Sequence, residues 1–145
     1  MAAAKKAANK VETMVEDAQK AATEGFEKMN KASEDAMAFA QDNMAAYVKA
    51  TETAAKAAEA MNAEIVAFAK KSVEEGVAAS KELAEVKSIP DFVERQSAMM
   101  KSVFDNYVAE ATKLNEMATA AMEDVFAPLK ARVEASADYA KALKV

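Results

Sequence analysis

Adjacent carboxylates such as Glu16 with Asp17 and Glu74 with Glu75 are the groups in this sequence best placed to do chemistry. Carboxylates are the only strong ligands the chain offers a metal ion, because it has no histidine and no cysteine. To act together they would have to converge on one point. On a helix, neighbours point about 100° apart, so neither pair converges by itself. A nucleophile–base set is missing for the same reason. The reading that remains is a solvated charged face, supported by i,i+4 pairs such as Glu24–Lys28, Glu27–Lys31 and Glu52–Lys56. No catalytic, cofactor-binding or metal-binding residue is expected.

The elements that carry these charges are helices. Of 145 residues 38 are alanine, the strongest helix former, while there are only 2 glycines and 2 prolines. Methionine, with 10 copies, outnumbers leucine, with 4, and suits adaptable apolar surfaces. The formal charge is −5, with acid and base interspersed. That speaks against nucleic-acid binding, which needs a basic stripe with stacking aromatics. No stretch is apolar enough to span a membrane. The N-terminal lysines lack the apolar run of a secretory signal, so a cytoplasmic protein is expected.

The apolar pattern is one-sided. Between Lys5 and Glu85 all 26 charged residues fall on one half of a helical wheel. On the other half Val11, Met29, Tyr47, Ile65 and Leu83 share one line, with Phe26, Met44, Met61 and Phe68 among those flanking it. The spacing mixes seven-residue with eleven-residue steps, which predicts nearly straight helices rather than a tight supercoil. Gly25 and Gly76 lie on this half and mark either a bend or a close-packing site. The stretch "KSIPDFVERQSAMMKSVFDNYV" then ends one helical pattern and opens another, with Ser88 and Asp91 spaced as a capping box. The second apolar arc holds Met99, Met100, Val103, Tyr107, Leu114, Met117, Met122, Val125 and Leu143, interrupted by Glu110 and Arg132. Pro128 predicts a kink near residue 124.

The expected fold is therefore all-α, an elongated helical bundle or coiled-coil-like hairpin of long amphipathic helices without β-sheet. Residues 1–10 are expected to be a flexible N-terminus and 11–145 a single helical domain. Within it a long or broken helix runs to about 87, a turn occupies 88–90, and a second helix spans 91–144, kinked near Pro128. Such a face either buries itself in a homo-oligomer or adsorbs to a hydrophobic surface. Its candidate contact residues are Val11, Phe26, Met29, Met44, Tyr47, Met61, Ile65, Phe68, Leu83, Met99, Met100, Val103, Tyr107, Leu114 and Val125. A third reading, a protectant unfolded until dried, fits poorly with so regular a face carrying six Phe and three Tyr.

From about residue 20 onward the chain resembles the phasin family, the helical proteins that coat bacterial polyhydroxyalkanoate granules. The resemblance rests on "KSIPDFVERQSAMMKSVFDNYVAEATKLNEMATAAMEDVFAPLKARV" and on the alanine-rich stretch beginning "GFEKMNKASEDAMAFA". Ser88 opens the helix and Gln96 sits in its third turn. Phe104, Tyr107 and Leu114 continue the pattern, and Pro128 and Arg132 come late. The Ile89–Pro90 pair departs from the more acidic start expected there. The resemblance implies a non-enzymatic granule-surface amphiphile in the bacterial cytoplasm. It would limit granule coalescence, with polymer synthase or depolymerase as candidate recruits. A structural coiled-coil or bundle oligomer with no surface partner is the alternative.

Overall fold

The computed structural model describes residues 2–144. It contains two helices, α1 (Ala2–Ala84) and α2 (Ile89–Leu143), and no strand among the described residues. This is the all-α hairpin that the composition predicts. Of the segment 1–10 set apart as a flexible N-terminus, Met1 lies outside the described residues and the rest forms the first turns of α1.

α1 runs through 83 residues without a break, as a chain rich in alanine and free of proline should. Hydroxyls along it turn inward: Thr13, Thr23, Thr51, Thr53 and Ser80 each donate to the carbonyl four residues back, at 2.8–3.0 Å. Neither glycine breaks it or receives a neighbour. Both are helical, neither has a positive φ, and a Cβ at either would meet nothing within 4 Å. The close-packing role open to Gly25 and Gly76 is thus not used within the chain.

The helices are joined at residues 85–88, slightly before the turn expected at 88–90. The last turn of α1 tightens, with the Glu85 N–H donating to the Lys81 carbonyl and the Val86 N–H to that of Leu83. Ser88 is extended (φ −134, ψ 151) and caps α2, its hydroxyl accepting the Asp91 N–H at 3.3 Å. Capping at Ser88 places Pro90 in the first turn, where its missing N–H has no helical partner to lose. The helix can therefore start at Ile89 rather than Asp91. It continues past Pro128 to Leu143.

The chain divides into two units between Ala45 and Ala46. In the first, every residue from Lys5 to Ala38 is exposed. In the second, the remainder of α1 and α2 form an antiparallel hairpin. Its register is set by Lys113, which donates to Glu64, and by Asn106, whose amide donates to Glu75 at 2.9 Å. The seam follows an eleven-residue spacing on both helices, through Ala46, Ala57, Phe68 and Ala79 on one and Asn106, Met117, Pro128 and Tyr139 on the other. An eleven-residue repeat keeps a seam on one side of a nearly straight helix.

That seam is thin and partly polar. Among the described residues only Ala46 and Ala50 are buried, at 8% and 5% exposure. Met61, Leu83, Met99, Leu114 and Val125 are half-buried along the rest of the seam. The hydrogen bond to Glu64 holds the Lys113 pKa above its ordinary 10.5. With the folded value raised, this contribution is complete below the ordinary lysine value and fades as pH climbs through the raised one. Glu110, a half-buried residue of the same stretch, keeps one carboxylate oxygen buried without a hydrogen bond.

Three substitutions test this account by urea unfolding followed by helical circular dichroism. Gly76→Ala should raise stability by about 0.5–1 kcal/mol, since the added methyl is unopposed. Ser88→Ala should lower it by about 1 kcal/mol through loss of the cap. Glu110→Leu should raise it by about 1–3 kcal/mol, the usual penalty for an unsatisfied buried polar atom. A loss of stability in Glu110→Leu would mean that the carboxylate is held by more than it costs.

Candidate functional site

Helix geometry decides where the remaining apolar side chains go. On α1 within the hairpin, Tyr47 and Ile65 stand about 70° clockwise from the middle of the seam, looking from N- to C-terminus. Val73, Val48 and Val66 follow farther round. On α2, Met100, Phe104, Met122, Val133 and Phe126 stand about 65–145° clockwise from its seam, in the same sense. Because the helices are antiparallel, the same rotation about each axis points to the same side of the pair. The two arcs merge into one apolar face. The charges fall on the other side: Lys49, Glu52, Lys56 and Glu74 on α1, and Lys101, Asp105, Glu116, Glu123 and Glu134 on α2.

This face is open. Tyr47, Phe104 and Tyr107 are each 66% exposed, and Ile65, Met100, Met122, Phe126 and Val133 are also exposed. Isolated exposed apolar residues are ordinary, but a continuous apolar surface of this kind marks an interaction site. Near the connection the seam also opens. Ser72, Gly76 and Ala79 oppose Ala98 and Ser102, and these small residues leave a groove of about 550 Å³, onto which Val103 and Tyr107 open.

The candidate contact residues therefore separate into two roles. Met61, Phe68, Leu83, Met99, Leu114 and Val125 are half-buried in the seam. Tyr47, Ile65, Met100 and Tyr107 lie on the open face, and Val103 at the groove. In the first unit Val11, Phe26, Met29 and Met44 are exposed. The two charges that interrupt the second arc, Glu110 and Arg132, are both half-buried at seam positions, so they leave the open face uncharged. Phe104, Met122, Phe126 and Val133 are not among the candidates. Their signal was present: all four continue the arc of Met100, which separates from the seam once Leu114, Met117 and Ala121 are assigned inward.

Glu16, Asp17, Glu74 and Glu75 are all exposed. Glu75 stands 3.7 Å from Lys71 and accepts from Asn106. No three acidic, histidine or cysteine side chains gather as a metal site among the described residues. No helix is long and apolar enough to cross a membrane.

Comparison with known proteins bears on the same stretch. Residues 34–133 match the family model described as phasin protein. No curated protein and no solved structure matches the chain. The family match takes in the whole connection and most of both hairpin helices, well over half of the sequence. On that ground the chain belongs to the phasin family, structural proteins associated with polyhydroxyalkanoate granules rather than enzymes.

Proposed function

We propose that the hairpin coats polyhydroxyalkanoate granules in the bacterial cytoplasm by lying on the polymer with its apolar face down, and that the coat limits coalescence. The observation that carries this reading is the sidedness of the pair: apolar arcs on one side, charges on the other. A polyester surface is apolar enough to take Tyr47, Ile65, Met100, Phe104 and Met122 out of water, at about 1.5–3 kcal/mol for each side chain fully covered. No charge on that face has to be desolvated. The outward side would carry the chain's net negative charge. Coated granules would then meet like charge to like charge over a few ångströms to a Debye length of about 8 Å. Polymer synthase or depolymerase would meet that outer side first.

Ile65→Glu and Met100→Glu test the contact, since each sets a carboxylate on the open face, where burial against polymer is costly. Lys56→Glu changes a charge on the far side. Adsorption to polyhydroxyalkanoate or oil particles, measured by depletion from solution, should fall at least about tenfold for the first two, which corresponds to roughly 1.4 kcal/mol. It should change little for Lys56→Glu. Unchanged adsorption in the two face variants, with helicity retained, would favour the structural oligomer with no surface partner. Loss in Lys56→Glu alone would make the contact electrostatic.

A further inference from the structure

We infer that the thioether sulfurs of Met100 and Met122 are a modification site on the open face. Oxidation of both by hydrogen peroxide to sulfoxides releases the chain from an apolar surface. The site stands on exposure and composition alone, whereas the release rests on the adsorption reading.

Composition narrows the chemistry to one group. Cysteine and methionine sulfur are the side-chain atoms that take up oxygen most readily, and the chain has no cysteine and 10 methionines. It also lacks histidine and tryptophan. The methionines then sort by place. Met61, Met99 and Met117 are half-buried in the seam. Met100 and Met122 are 65% and 64% exposed, and in the first unit Met14, Met29, Met37 and Met44 are exposed as well. Met99 and Met100 are chain neighbours about 100° apart on the helix. One is turned to the seam and the other to the face, so the comparison between them is internal to one turn.

The step is a two-electron oxygen transfer. The methionine sulfur attacks one peroxide oxygen, the S–O bond forms and the O–O bond breaks. The second oxygen leaves as water with both peroxide hydrogens. Sulfur is oxidised and peroxide is reduced. Sulfoxide reductases reverse the step with a dithiol, which ends as a disulfide while the sulfoxide oxygen leaves as water.

The product is opposite in character to the face it sits on. A sulfoxide oxygen is a hydrogen-bond acceptor, hydrated in water. An aliphatic polyester offers it no donor along its chain, so contact strips that hydration without replacing it. Position makes the loss hard to avoid. On the apolar arc of α2 Met100 is nearest the seam and Met122 is level with Phe104. Phe126 and Val133 stand between both methionines and the charged side. Neither sulfoxide could keep to a wet edge while the face is in contact.

The test treats the full chain with hydrogen peroxide. Peptide mass spectrometry, helical circular dichroism and depletion onto polyhydroxyalkanoate particles are followed together. At limiting peroxide, Met100 and Met122 should oxidise at least about fivefold faster than Met61, Met99 and Met117. Helicity should hold, and adsorption should fall at least about tenfold. Sulfoxide reductases with a dithiol should restore it. Met100→Leu with Met122→Leu, compared with its own untreated form, should lose less than about threefold on the same treatment. Equal oxidation rates at seam and face methionines overturn the site. Oxidation of Met100 and Met122 without loss of adsorption overturns the release, and so does a double variant that loses as much as wild type. Helicity lost in step with adsorption makes the effect unfolding and overturns the release too. A chain that never adsorbs before treatment overturns the adsorption reading and the release with it, while the oxidation rates still decide the site.

Discussion

Everything in the hairpin depends on which flank of each apolar arc the other helix takes. The antiparallel seam uses one flank of α1 and the matching flank of α2, and the sense of helical rotation carries both remaining flanks to one side. A parallel pairing of the same two helices would send the leftover arcs to opposite sides and produce no continuous face. The connection at 85–88 is therefore functional in a geometric sense. By reversing the chain within four residues, with Ser88 capping and Pro90 in the first turn, it makes the antiparallel choice the only one within reach. The register is then held by Glu64 with Lys113 and Glu75 with Asn106.

The weakness of the seam has the same origin. Close approach of two helices is set by small side chains, and the seam has them at Ala46, Ala50, Ala57 and Ala79. Alanine allows contact but contributes little area, so the pair gains little from its own burial. Polar groups at Asn106, Glu110 and Arg132 reduce that gain further while restricting slippage, since a shifted register would separate them from their present neighbours. Several of the large apolar groups, Tyr47, Ile65, Phe104 and Phe126 among them, stand on the face rather than in the seam. A chain selected for a maximal internal core would distribute them the other way.

Much of this was legible from residues alone. Charge segregation over the first 85 residues marked one face of a long helix, and "KSIPD" marked the reversal. The all-α hairpin followed from those two signals. What the wheel missed was the difference between the most apolar line and the line of contact. Tyr47 and Ile65 lie on the first, Ala46, Ala50 and Ala57 on the second, about 70° away. Hydrophobicity weights a side chain by its size, whereas helix contact selects positions where the side chain is small. The same bias drew Met61 and Phe68 into one list with Tyr47, although only the latter is left open. Glu110 and Arg132 looked like defects in an apolar arc. They are seam residues, and the face beside them is free of charge for that reason.

The choice of side chains on the face fits contact with an irregular apolar surface. A leucine-rich face packs best against one matched partner. Methionine at 100 and 122 and valine at 108 and 133 give a face with less shape preference, and methionine rearranges at low cost against an irregular contact. Tyrosine at 47 and 107 adds large apolar area with a hydroxyl that can remain in water at an edge. The affinity of such a face comes from area rather than from fit. Area is offered by any extended apolar surface, and the polymer of the proposed function is one.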